Sequence, residues 1–374
     1  MKRKDFLKIG LGTLGAATIA SSCVPEDNQG YTESNGAPNV ISNRKYRWKL
    51  VTTWPPKFPV LGEIADLYAK WINEMSGGRI EIKVYGGGEF VPALEAFDAV
   101  SSGSADIGCG GPYYWVGKSP AAQFFASVPF GMNAQQSAAW LISGGGMELW
   151  REVYAKFNLV PFLGGNTGVQ MGGWFNREIN SIDDYKGLKM RMPGMAGKVI
   201  EKAGAAAMLT PGSEIYTNLE RGVIDATEWV GPYHDYKMGF HKIAKYYYYP
   251  GWHEPGTNLE FFVNKKLYDS LPTDLQTIMD AASLKAHSWV LGEFEAKNGS
   301  YLEKILAESD VQLKAFPKEV LSKLREYTKE TIEEAIANDP LSKKVYTSYN
   351  NFAKQSQKWS ILTEKAFYNT VQPD

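Results

Sequence analysis

Apolar and polar positions change period several times along the chain. Residues 46–54 are β-branched and aromatic and predict a strand. Val60, Leu61, Ile64, Leu67, Tyr68, Trp71, Ile72 and Met75 then recur at helical spacing, and Gly77-Gly78 stops them. Ile80, Ile82 and Val84 alternate, the pattern of a strand with one buried face. Strand, helix, strand is a βαβ unit, so a parallel sheet is expected. A further helix over 92–102 and a short buried strand over 106–109 follow, with Cys109 as an inert core thiol. The layout recurs with strands at 187–191, 206–209 and 224–226 and helices at 195–203 and 213–221, without any repeat at the level of sequence. Two α/β units imply two lobes. After Pro272 the pattern is helical almost to the end, over 275–290, 302–309, 318–338 and 340–368.

The N-terminus follows a different logic. Lys2, Arg3, Lys4 and Lys8 precede an uncharged stretch of small and apolar residues, 9–22. Those fourteen residues would span about 21 Å as a helix, short of a hydrocarbon core of roughly 30 Å. They predict an export signal rather than an anchor. Residues 3–8 resemble a weakened twin-arginine motif, and Ile19-Ala20-Ser21-Ser22-Cys23 resembles a bacterial lipoprotein box with Ala20 where Leu is usual. Cys23 is thus a candidate lipidation site, with plain secretion as the alternative. The polar segment that follows, up to Lys45, is a tether with a reach of roughly 25 Å. Gly10-Leu11-Gly12-Thr13-Leu14-Gly15 matches a dinucleotide-binding fingerprint, but no strand precedes it and cleavage would remove it.

Charge narrows the function classes. Lys and Arg total 40 against 41 Asp and Glu, a net charge of -1, which excludes the strong basic footprint of a nucleic-acid binder. Hydrolase, zincin, thioredoxin and P-loop signatures are absent, and His234, His241, His253 and His287 fit no standard zinc spacing. One group of residues stands out instead. Arg191 ends a predicted strand, where α/β sheets place ligand sites, and Glu228-Trp229 follows another. Tyr113 and Tyr114 follow the strand that ends at Cys109, Glu254 closes the aromatic stretch from Tyr246, and Gln170 ends the segment Gly165-Asn166-Thr167-Gly168-Val169. Each also reads as an ordinary surface or core residue.

Taken together, four stretches resemble a known family. They are Gly165-Asn166-Thr167-Gly168-Val169-Gln170-Met171-Gly172-Gly173-Trp174-Phe175, Gly187-Leu188-Lys189-Met190-Arg191-Met192-Pro193-Gly194, Gly222-Val223-Ile224-Asp225-Ala226-Thr227-Glu228-Trp229-Val230-Gly231-Pro232 and Tyr247-Tyr248-Tyr249-Pro250-Gly251-Trp252. From Tyr46 onward the chain resembles the extracytoplasmic solute receptors of tripartite ATP-independent periplasmic (TRAP) transporters. It is most similar to the branch that binds 2-oxo acids, lactate and similar monocarboxylates. The resemblance implies an α/β fold of two lobes with a cleft between them and a helical C-terminal region. It implies lobe I over 46–168 with 255–287, lobe II over 169–254 with part of 288–374, and C-terminal helices over 288–374 that form a homodimer.

It also implies site residues. Arg191 would grip the ligand carboxylate, as the two-pronged guanidinium suits it to do. The side chains of Gln170, Glu228 and Glu254 and the Trp229 carbonyl would hold a metal ion. Tyr114, Tyr113 and Asn166 would lie near the ligand, with Trp229 as an apolar wall. His253 departs from the pattern, standing where relatives often carry Trp. Charge counting favours a cation: Arg191 against Glu228, Glu254 and a monocarboxylate sums to -2, so Na⁺ would leave -1 and Ca²⁺ none. Both ions stay open, Na⁺ first. The expected role is a receptor that closes on its ligand outside the cytoplasmic membrane and delivers it to a TRAP permease, without catalysis. A receptor for a larger acid such as a sugar acid or aromatic carboxylate, a periplasmic sensor partner, and a secreted enzyme are the alternatives.

Overall fold

The computed structural model describes residues 44–371. The expected signal peptide, Cys23, the Gly10–Gly15 pattern and the tether up to Asn43 lie outside the described residues. No described helix is long and apolar enough to cross a membrane.

The described strands are β1 (Tyr46–Thr52), β2 (Ile80–Tyr85), β3 (Ile107–Gly110), β4 (Leu159–Asn166), β5 (Gly173–Phe175), β6 (Lys189–Arg191), β7 (Ala206–Met208), β8 (Ala226–Thr227), β9 (Tyr246–Tyr249), β10 (Asn258–Asn264) and β11 (Gln312–Ala315). They form two sheets, ordered β2-β1-β3-β10-β4 and β11-β9-β5-β8-β6-β7. β1 pairs in parallel with β2 and β3, as the βαβ pattern predicts, and β6 does so with β7 and β8. Neither sheet is wholly parallel. β10 runs antiparallel to β3 and β4, and β5 runs antiparallel to β8 and β9.

These reversed strands belong to the segments where the chain passes between sheets. It leaves the first sheet at β4 and enters the second at β5. It returns from β9 to β10 and leaves again along the helix Thr273–Glu308 towards β11. A fourth passage lies at Asn338 and Asp339. The helix Lys318–Ala337 packs on Gly194–Lys202 beside the second sheet, and Pro340–Leu362 packs on Gly146–Ala155 beside the first.

The structure differs from the sequence pattern locally in four places. Val60 and Leu61 precede the helix, which starts at Glu63. Val60 is fully buried but adopts φ 58°, so its apolarity serves the core and not a helix face. The pieces expected at 275–290 and 302–309 are one helix of 36 residues. β11 interrupts the helical run; it is a short, largely exposed edge strand of four residues. The helix Ala134–Ser143, which the apolar pattern left unassigned, starts with a reciprocal Asn133–Gln136 capping box.

Stacked aromatics anchor both cores. Tyr68 lies on Phe261 at 3.8 Å, and Trp174 on Tyr247 at 3.9 Å. Each core also encloses a carboxyl group. Asp235 accepts from Trp174 Nε1 at 2.9 Å and from the Tyr247 hydroxyl at 2.7 Å, and burial pushes its carboxyl up to about 7. Glu260, on the central strand β10, accepts from Trp115 Nε1 at 2.5 Å, and burial pushes it up to about 8. The Cys109 thiol, buried in the same sheet, is pushed up as well.

The native state therefore holds a proton on Glu260 that the unfolded chain releases above its ordinary value of 4.5. This contribution to stability is complete below pH 4.5 and is lost as pH rises towards 8. Glu260→Gln, which keeps the shape without the charge, is expected to raise the melting temperature at pH 8.5 by about 3 °C or more and to change it little at pH 4.5. Calorimetric scans at the two pH values check this.

Candidate functional site

Strand topology brings the singled-out residues together. Arg191 is the last residue of β6 and Glu228 follows β8, its parallel neighbour. The Glu228 amide donates to the Arg191 carbonyl at 3.3 Å, which sets the two side chains side by side. Tyr113 and Tyr114 occupy the short turn Pro112–Trp115 after β3. The C-terminal ends of parallel strands from both sheets thus face one crevice, where such sheets collect ligands.

The first two passages between sheets supply the rest. Residues 167–172 and 250–257 run alongside each other. Thr167 N donates to Thr257 O (3.1 Å), Gln170 N to Glu254 O (3.2 Å), Gly251 N to Gln170 O (2.8 Å) and Gly172 N to Tyr248 O (2.7 Å). Gln170 and Glu254 are held by this backbone ladder. Gln170 Nε2 donates to Glu254 Oε2 at 2.7 Å, and the Thr257 hydroxyl donates to the same oxygen at 2.5 Å.

Trp54, Leu61, Tyr113, Tyr114, Thr167, Gln170, Arg191, Trp229, Val230 and Leu259 line a narrow cavity with a free volume of about 10 Å³, room for about one water molecule. Arg191 lies in it almost wholly buried, over the Trp229 ring at 5.3 Å. Its Nη1 donates to Glu228 Oε1, while its Nε–H has no partner among the described residues. The Trp229 ring approaches Gly212 so closely that a Cβ there would stand 2.5 Å from it. Gly194, at φ 60°, gives the same clearance to Tyr113, whose Cβ lies 2.9 Å from where a Cβ would be.

The electrostatics are severe. Burial opposes the Arg191 charge, but Glu228, the two phenols and Glu254 outweigh it and hold the guanidinium charged. Burial, and then the Glu228 charge, push the Glu254 carboxyl up to about 7. Burial raises both tyrosine phenols, which remain neutral donors.

Glu228, His253 and Glu254 each offer a ligand atom within 4.8 Å of one another, all buried. Among the described residues Gln170 Oε1 and both His253 ring nitrogens have no hydrogen-bond partner; His253 Nε2 lies 3.5 Å from Glu228 Oε2. Two carboxylates and an unsatisfied amide oxygen are the donor set of a hard cation, and the residues fit one.

Not every expected residue reaches the cavity. The Asn166 amide is committed to its own sheet: it donates to Asn258 Oδ1 at 2.8 Å and accepts from Gly168 N at 2.9 Å. Asn166 therefore shapes the turn that leads to Gln170. The sequence pattern missed Trp54, Leu61 and Thr167. Trp54 was within reach, since it lies just past the C-terminal end of β1, the rule that found Arg191. Leu61 was hidden by its helical spacing. His253 stood out only as a departure, and the structure brings it into the carboxylate cluster.

Comparison with known proteins agrees with this geometry. The family model described as bacterial extracellular solute-binding protein, family 7 (DctP), matches residues 50–339. A monocarboxylate 2-oxoacid-binding periplasmic protein of Nostoc sp. is 40% identical over 371 residues, 99% of this chain and 98% of that protein. A TRAP periplasmic solute-binding protein of Pseudoalteromonas atlantica, solved with bound sodium and pyruvate, is 44% identical with a TM-score of 0.85, over 88% of this chain and 100% of that one. One from Colwellia psychrerythraea, solved with bound calcium and pyruvate, is 46% identical with a TM-score of 0.85, over 87% of this chain and 99% of that one.

Removing Glu228 takes from Arg191 the carboxylate that its Nη1 bonds and leaves Glu254 to balance the guanidinium. Glu228→Ala is expected to destabilise the ligand-free protein by about 3 kcal/mol, as breaking buried pairs does. Urea unfolding of the variant beside the native protein measures the loss.

Proposed function

The chain belongs to the bacterial extracellular solute-binding protein family 7, and we propose that it is the receptor of a TRAP transporter for a small 2-oxo monocarboxylate such as pyruvate. One observation carries the reading. A buried guanidinium lines a small cavity with an unpartnered Nε–H, between two neutral phenols and an apolar indole. The Arg191 fork supplies charge-assisted hydrogen bonds to a carboxylate. Tyr113 and Tyr114 supply donors for a second oxygen, and Trp229 packs on the carbon skeleton. Lactate fits the same description.

In this reading Gln170, Glu228, Glu254 and the Trp229 backbone carbonyl hold Na⁺ or Ca²⁺. The ion supplies positive charge against the carboxylates and the anionic ligand. The protein's own groups do the rest: Arg191 orients the ligand, and the phenols and Trp229 exclude water from it. Lobe I, formed around the first sheet, and lobe II, around the second, close on the ligand. Closure is a population shift driven by contacts made across the cleft. The closed form delivers the acid to the membrane permease, and the chain catalyses no reaction. It works on the periplasmic side, held at the membrane through lipid on Cys23.

Calorimetric titration of the metal-stripped protein with pyruvate, with Na⁺ or Ca²⁺ restored, tests the reading. Stoichiometric binding that one cation strengthens is expected. Arg191→Ala should weaken it at least 100-fold, because charge-assisted bonds contribute about 1.5–3 kcal/mol each. Wild-type affinity in that variant removes the site assignment.

We also infer a homodimer formed through the C-terminal helices. Trp359, Leu362, Phe367 and Tyr368 are 65%, 74%, 51% and 65% exposed there, a concentration of apolar side chains that a partner would cover. Sedimentation should give twice the chain mass, and a concentration-independent mass near 41.6 kDa contradicts the dimer.

A further inference from the structure

We propose that His234 is a positioning residue of this site: its imidazole joins the Trp229 indole, on one wall of the cavity, to the Pro59 carbonyl on the facing loop, and so clasps the two lobes together. The proposal rests on reading the cavity as the ligand site of a closing receptor.

The two ends of the link belong to different sheets. Pro59 lies in the loop between β1 and the helix Glu63–Met75, on the first sheet. His234 lies on the helix Pro232–Met238, after β8 of the second. Trp229 Nε1 donates to His234 Nδ1 at 3.2 Å, and His234 Nε2 lies 2.5 Å from Pro59 O. An indole N–H can only donate and a carbonyl can only accept. Nδ1 must therefore be the acceptor and Nε2 must carry the proton. One neutral tautomer satisfies both partners, and neither reverses.

The surroundings fix the ring from both sides. Phe58, on the loop, meets it edge-on at 4.8 Å, and Phe294 of the long helix does so at 4.9 Å. Phe58 also meets Trp229 at 6.3 Å. Pro59 O accepts from Leu61 N at 2.6 Å as well, and Leu61 lines the cavity opposite Trp229. A single carbonyl thus ties both walls together. The loop holds an unusual shape to present it, with Lys57 at φ 55° and Val60 at φ 58°, a region β-branched residues rarely enter. On the helix, the next residue grips the same segment: Val230 N donates to Asp235 Oδ1 at 3.3 Å.

A residue that only holds the fold would change stability and leave ligand kinetics alone. A clasp changes how long the site stays shut. In the full chain at saturating Na⁺ or Ca²⁺, His234→Phe fills the aromatic nest without the nitrogens. It is expected to release pyruvate at least ten-fold faster by stopped-flow tryptophan fluorescence, with the association rate within about three-fold of wild type. His234→Gln keeps a donor near Pro59 O and is expected to recover part of the slow release. Release from His234→Phe at the wild-type rate overturns the clasp. Should that variant fail to fold, His234→Leu, smaller and likewise without the ring nitrogens, takes its place with the same expectation and the same overturning result. Hydrogen exchange over residues 57–63 separates the clasp from the ligand reading. If the wild type binds no pyruvate with either cation, the pyruvate reading falls. The clasp then stands if those amides exchange faster in the variant, and falls if they are equally protected.

Discussion

A guanidinium and two carboxylates are shut away from water where the two sheets meet, and much of the molecule is arranged around that fact. Arg191, Glu228 and Glu254 leave an excess negative charge unless Glu254 keeps a proton or a cation arrives. Buried charge is expensive, so each group is held by neighbours that cannot relax away. Arg191 and Glu228 sit on adjacent strands in fixed register, and Glu254 is gripped by Gln170 and Thr257. The strand ends and the passages between sheets meet at this point, which lets both lobes contribute to the same few atoms.

The sequence showed the strand-borne half of this arrangement more clearly than the passages. Arg191 and Glu228 could be placed because short apolar strands announce their own ends. Lobe architecture was legible in the parallel units around β1 and β6 for the same reason. Gln170 and Glu254 lie in segments without periodicity, and their closeness depends on pairing across 84 residues. Only resemblance to a family could put them together beforehand. Leu61 illustrates the opposite error, since helical spacing continued into a loop whose backbone is anything but helical. β11 and the antiparallel course of β10 arise from chain routing, which local pattern does not encode.

Two buried acids show how differently one chain treats the same group. Glu260 sits in the first core beside the Trp115 indole and the Tyr154 phenol, and burial raises its carboxyl all the same. Glu254 is buried to a similar degree but faces another carboxylate, an imidazole and an unsatisfied amide oxygen. Composition could not distinguish them. Neighbours make one a neutral wedge in a core and the other part of a candidate ion site.

The passage at Asn338 and Asp339 has a mechanical side. In a receptor that closes as proposed, residues 167–172 and 250–257, which lie together, would be the pin of the hinge. The two C-terminal helices join the same bodies elsewhere, one fastened beside the second sheet by Lys202 with Glu334 at 2.6 Å, the other packed beside the first. Such an added strap would work like the stay on a casement window. It would leave the swing free over a short arc and stop it beyond, so that two residues far from any ligand would set the aperture.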